Sequence, residues 1–205
     1  GAHLESLANE AAILAMREGS KKICQRHFSE AIDKVMLGGR LDKQPSPIEK
    51  ERIAIHEIGH ALISEMVRRG SVSTVTIIPR GDALGYMRQT PENDTYLQTQ
   101  TQLENQIAVM MAGAVAEEII LGNRSTGSSG DFEQAVHTAE VMLRAGMSDL
   151  GVVSLDSLPQ DIKHKTITEL IKKQEVRVRK QSEDSKNVFT KILEVLMEKE
   201  KITGD

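Results

Sequence analysis

At 205 residues the chain has room for one or two domains with a real hydrophobic core. Its 27% charged and 39% apolar residues are ordinary for a globular protein, and a net charge of -4 argues against nucleic acid as a partner, because phosphate binding needs a basic face. Aromatic residues make up only 2%, so Leu, Ile, Val, Ala and nine Met must fill the interior, which favours helices.

The single Cys24 can form no internal disulfide and points to a reducing compartment. The longest apolar run, "IAVMMAGAVA", is about half of what a bilayer crossing needs. The chain opens without a signal peptide, on "GAHLESLANEAAILAM", which already reads as helix. The expectation is a soluble piece of something longer.

Residues 1–39 read as a small helical unit. Leu4, Leu7, Ala8, Ala11 and Leu14 recur at helical spacing and Gly19 closes the pattern. A second helix is expected from about Cys24 to Leu37, with Phe28, Ile32 and Val35 on one side and Gly38-Gly39 as the stop. Residues 40–45 begin the polar, Pro-containing stretch "RLDKQPSP" and read as a linker. Residues 46–205 would form the second domain. Its first helix has a clear start: Ser46 as cap, Pro47 at the first helical position, Glu49 completing a capping box. It should run to about Arg69 and stop at Gly70.

"VSTVTIIP" (72–79) is rich in β-branched residues and reads as a strand, "RGD" as a turn, and "ALGYMR" as a short second strand. Thr101 and Glu104 suggest a capping box for a long helix carrying Leu103, Ile107, Met110, Met111 and Ala114 and ending near Gly122. "GNRSTGSSG" is a loop by composition, followed by a helix from about Asp131 to Arg144. The last forty residues look like one or two charged amphipathic helices. The fold class is therefore mainly α: a helical domain with a small β-hairpin or short sheet, preceded by a short helical unit.

The chemistry concentrates in "IAIHEIGHALISEM". On a helix His56 and His60 lie one turn apart and point the same way, so two imidazoles can bind one Zn²⁺. Glu57 lies about 100° round the helix from His56, beside the metal without ligating it. It can take a proton from a water that the zinc activates and later hand it to a leaving amine. The bland alternative is two histidines close by chance in a structural helix. Gly59 favours the first reading: a glycine costs about 1 kcal/mol in a helix interior, so its presence suggests that something must pack close to the helix.

Zinc needs a third protein ligand and an open position. Ile63 and Met66 stand where the metzincin pattern has Gly and His, which excludes that class. Two candidates stay open on composition: Asp131 after the Gly/Ser loop, which could equally be an N-cap, and the pair Glu117 and Glu118. His137 is a weaker candidate.

These residues resemble the FtsH-type AAA+ zinc metalloprotease family over nearly the whole chain. "GAHLESLANEAAILA" and "FSEAIDKVMLGG" resemble the end of its AAA helical lid, and "HEIGHA" resembles its HEAGHA. "VTIIPRGDALGY", "AEEIILG", "STGSSGDFEQAVHTAEVML" and "LMEKEKITGD" resemble its later segments, in order. The resemblance implies a zincin-like peptidase domain after a lid remnant, and Asp131 as third zinc ligand. It implies Glu117 as the carboxylate that orients a ligand histidine, although helical geometry alone slightly favours Glu118. It also implies an edge strand at Leu84, Gly85 and Tyr86 that aligns extended substrate by backbone hydrogen bonds, a role that an ordinary hairpin strand would not have.

The chain departs from the family at His3, Cys24, His27, Ala112-Gly113-Ala114, Gly130 and Ala145-Gly146-Met147, which marks a divergent branch but leaves the four central residues intact. No G-x-x-x-x-G-K-[ST] phosphate loop is present, so ATP and Mg²⁺ would be used only by the full-length protein. The expected function is the zinc endopeptidase domain of an ATP-dependent, homo-hexameric protease acting on polypeptides. The full-length protein would sit at the cytoplasmic face of a membrane, attached through a segment outside this chain. The alternatives are a catalytically silent oligomerisation platform, or a stand-alone zinc peptidase with a glutamate as third ligand.

Overall fold

The computed structural model describes residues 2–39, 45–81, 83–90, 96–155 and 157–204. The protein is mainly α-helical with one small antiparallel sheet. It divides into two compact units, residues 1–45 with 78–85 and residues 46–77 with 86–205. Segment 78–85, expected within the second domain, thus clusters with the first. Most of the proposed linker, residues 40–44, and Asp82 of the "RGD" turn lie outside the described residues.

The first unit is a helical hairpin of α1 (Ala2–Arg17) and α2 (Gln25–Leu37). Ala11, Ala15 and Ala31 are buried, so small side chains set a close helix approach. Cys24 is the N-cap of α2, and its backbone N–H donates to His27 Nδ1 at 3.0 Å. The other ring nitrogen of buried His27 meets Glu18 at 3.0 Å. These two unusual residues therefore act as a capping pair. In segment 78–85, buried Arg80 pairs with Glu30 of α2, and the Gly81 N–H donates to the Gly39 carbonyl at 3.2 Å.

The second unit is built on two long helices, α3 (Pro47–Val67) and α4 (Gln100–Leu121). Helix α3 starts as the sequence predicts: Ser46 Oγ accepts from the Glu49 N–H and Glu49 accepts from the Ser46 N–H at 2.9 Å. The cap of α4 differs from expectation. Thr99 and Gln102 form the capping box, two residues before Thr101 and Glu104, through the same kind of reciprocal bonds.

The helices cross at Gly59. A Cβ there would lie 2.5 Å from the Ala112 carbonyl oxygen and 2.7 Å from Ala116 Cβ. Around the crossing, Ile55, Ile58 and Ile63 of α3 and Ile107, Ala108 and Val115 of α4 are fully buried. Each large aliphatic chain contributes about 1.5–3 kcal/mol by leaving water. Helix α5 (Ser129–Arg144), entered through a short 3-10 turn (Thr126–Ser128), shares a core with α4 through Ala135, Ala139, Met142 and Leu143. The charged C-terminal stretch forms two helices, α6 (Gln160–Asp184) and α7 (Lys186–Lys199).

The sheet has the order β2-β1-β3, from β1 (Val72–Thr76), β2 (Tyr86–Gln89) and β3 (Lys201–Thr203). Val75 pairs with Met87 on one side and Ile202 on the other. Strand β1 is shorter than the 72–79 expected, and β2 starts at Tyr86, leaving Leu84 and Gly85 in a bend outside it. Strand β3 carries no signal in three residues; β1 supplies its pairing partner. Glu200, in the left-handed conformation at φ 58°, turns the chain from α7 into β3, and its carbonyl accepts from the Ile77 N–H at 3.0 Å.

Candidate metal centre

His56 and His60 leave α3 from adjacent turns, and α4 faces both. Each ring has its Nδ1 occupied by a fixed acceptor. His56 Nδ1 donates to Glu117 Oε1 at 2.9 Å, and His60 Nδ1 donates to the Val109 carbonyl at 2.7 Å. Both acceptors belong to α4. This fixes each imidazole with its Nε2 lone pair facing the other ring, the orientation that metal-binding histidines need.

Asp131 completes the group. It lies in the first turn of α5 as a helical residue, not as the N-cap. Its Oδ2 is 3.2 Å from His56 Nε2 and 3.4 Å from His60 Nε2, while the two Nε2 atoms are 3.0 Å apart. Among the described residues, His56, His60 and Asp131 are the cluster of donors that could hold a metal ion. Tetrahedral donors about 2.0–2.1 Å from zinc lie about 3.3 Å from one another. The observed triangle fits that ion with only small outward shifts.

The three groups are also coupled electrostatically. Burial lowers the tendency of His56 to charge, but hydrogen bonds to Asp131 and Glu117 and the charge of Glu57 outweigh it and push its pKa up to about 9. Burial raises the Asp131 carboxyl, yet its bonds to His56 and His60 and their charges hold it well below the carboxylate range. Three acceptors converging on one point bind a proton tightly when no metal replaces it.

Glu57 is buried at 8% exposure on the same helix. Burial drives its carboxyl up, while the charges of His60 and His56 and a backbone hydrogen bond from Met87 of β2 act the other way. Burial thus favours its proton-bound form, as suits a group that takes up and returns a proton.

The two glutamates of α4 have separate partners. Glu117, 1% exposed, takes His56, Arg52 at 2.6 Å and Ser125 at 3.0 Å. Burial raises its carboxyl, but these three bonds bring it below the usual value. Glu118 is engaged by Arg124 at 2.7 Å and Arg179 at 3.0 Å, and neither glutamate is one of the three clustered donors. His137 lies on α5 beside Phe132, Glu133, Val136 and Glu140, outside the cluster. Of the proposed substrate strand, Tyr86 opens β2, whose other edge carries no strand among the described residues; Leu84 is 51% exposed.

Sequence reasoning missed three contributors. Gly113 makes room for His56: a Cβ there would come 2.5–2.7 Å from the ring atoms. Val109 acts through its carbonyl, which carries no side-chain signal. Arg52 could have been noticed, since it lies one turn before His56 on the same helix face.

The family model of peptidase family M41 matches residues 43–163. The chain is 39% identical over its whole length to the ATP-dependent zinc metalloprotease FtsH 2 of Thermoanaerobacter sp. (strain X514), covering 41% of that protein. It is likewise 39% identical over its whole length to the ATP-dependent zinc metalloprotease FtsH of Thermotoga maritima, covering 38% of it. With the Rickettsia conorii protein of the same name it shares 45% identity over 73% of this chain, which is 24% of that protein. The chain thus spans about two fifths of the first two relatives.

Proposed function

The chain belongs to peptidase family M41, and on that premise we propose that it is the zinc-dependent endopeptidase part of an FtsH-like, ATP-dependent protease. The reading rests on one observation: His56, His60 and Asp131, brought from two helices, aim three donors at a single point beside buried Glu57. Zinc held there supplies Lewis-acid activation of water and of a peptide carbonyl. The chain's own residues do the rest. Glu57 accepts the proton of the attacking water and delivers it to the amine that leaves. Glu117 and the Val109 carbonyl hold the two imidazoles in register. The outer edge of β2, beside which no strand lies among the described residues, binds an extended polypeptide by backbone hydrogen bonds from Tyr86 onward, with Leu84 and Gly85 preceding it in the chain.

In this reading the substrates are unfolded or membrane proteins, and residues 1–39 are the end of an AAA lid. ATP hydrolysis, hexamer formation and membrane attachment at the cytoplasmic face are assigned to the full-length protein. Among the described residues no helix is long and apolar enough to cross a membrane.

The test is cleavage of an unfolded, casein-like protein by the zinc-loaded chain and by its Glu57→Gln variant. Cleavage should fall about 10²–10⁴-fold in the variant while zinc content stays at one per chain. Equal cleavage by both proteins would overturn the assignment, as would a wild-type chain that takes up no zinc.

A further inference from the structure

The carboxylate behind His56 is held on both edges. Glu117 Oε1 takes His56 Nδ1 at 2.9 Å and Ser125 Oγ at 3.0 Å, while Oε2 takes the Arg52 guanidinium at 2.6 Å. Arg52 also donates to Asn123, at 3.1 Å to its carbonyl and 2.8 Å to its side-chain oxygen. Asn123 and Ser125 belong to the loop between α4 and α5, which leads into the helix carrying Asp131. One guanidinium therefore ties together α3, the carboxylate that orients His56, and the approach to Asp131.

We propose that Arg52 is a positioning residue of the metal centre: it locks the Glu117 carboxylate against His56 and pins the loop ahead of Asp131, so that donors from two helices arrive in register. This inference rests on the reading of His56, His60 and Asp131 as zinc ligands. The last torsion of a glutamate is soft, so a carboxylate gripped at one edge rotates freely. The second grip removes that freedom. A planar guanidinium can bond a carboxylate and an amide oxygen at once, whereas an ammonium is a single point charge without that fork. Outer partners of metal-bound histidines are worth about 10–100-fold in metal affinity.

The test is the zinc dissociation constant, measured by competition with a chromogenic chelator. Arg52→Met should weaken binding about tenfold or more, and Arg52→Lys should fall between it and wild type. In a Glu117→Gln background Arg52→Met should cost clearly less than in the wild type, only the part carried by Asn123, which general loosening of the fold would not reproduce. Wild-type affinity in Arg52→Met, or an equal loss in the Glu117→Gln background, overturns the proposal. Should Arg52→Met fail to fold, Arg52→Lys and Asn123→Ala decide, and wild-type affinity in both overturns it. A wild-type chain that binds no zinc would instead remove the functional reading on which the proposal stands.

Discussion

Gly113 of α4 lies against the face of the His56 ring, so close that a Cβ would come 2.5 Å from its Cε1 and 2.6 Å from its Nε2. The ring has no slack on that side, because Glu117 already holds its Nδ1. Gly113→Ala should therefore turn the imidazole off its position. The expected result is a folded chain whose zinc content falls well below one per chain in dialysis against trace zinc. Overpacking should also destabilise it by about 1–3 kcal/mol, read by thermal unfolding.

Asp131 is the donor that comes from outside α3. Asp131→Ala should leave two imidazoles and abolish stoichiometric zinc binding, because a two-donor site lacks the three protein ligands of a zinc peptidase. Glu118→Gln should leave zinc binding unchanged, since that carboxylate serves Arg124 and Arg179. Isothermal titration of both variants checks the pair.

In the metal-free chain, the pKa of His56 is raised to about 9. A folded-state value above the unfolded one, near 6.5, gives stability that is complete below about pH 6.5 and is lost as pH rises through about 9. Chelator-treated protein should thus lose thermal stability between these limits. Zinc competes with the same proton, so zinc affinity should rise over that range. A flat melting profile of the metal-free chain from pH 6 to 10 would contradict this.

Glu65 closes the turn from α3 into β1. Its carboxylate accepts from the Gly70 N–H at 2.8 Å and the Val72 N–H at 2.7 Å. Partial burial raises its pKa, but those backbone bonds outweigh it and set the group below its usual value. The stability it adds is present above the ordinary glutamate value and is lost as pH falls through the lowered one. Glu65→Gln should cost about 1 kcal/mol at pH 7, discounted for its exposure, and the gap to wild type should close in acid. Urea unfolding at pH 7 and pH 3.5 measures both.

At the α3–α4 crossing, Gly59→Ala gains about 1 kcal/mol of helix propensity but forces a methyl onto the Ala112 carbonyl. The clash should win, with a net loss of about 1–3 kcal/mol. A variant more stable than wild type would show that the helices can separate without cost.

Much of this site was legible in the chain because it is local. A four-residue spacing on a helix, a Ser-Pro-x-Glu start and a glycine among apolar residues are each set by backbone geometry within one or two turns. The helices of the fold were legible for the same reason. The capping box of α4 was misplaced by two residues because Thr99-x-x-Gln102 and Thr101-x-x-Glu104 are equivalent locally, and no local rule ranks them. Strand β3 was not foreseen because three residues gain strand geometry only from the neighbour that pairs with them.

Sequence alone determined the two histidines, the glutamate between them and the helix that presents all three, since i and i+4 share a face whatever the rest of the molecule does. It left Asp131 and the glutamates of α4 open as the third donor; only the resemblance to a known family favoured Asp131. Tertiary structure decided which carboxylate stands where: the close crossing at Gly59 brings Glu117 behind the His56 ring, and packing of α5 against α4 carries Asp131 to the front. Those distances join residues 61 and 75 positions apart. They depend on how side chains of different helices fill a common core, which no periodicity within a single segment encodes.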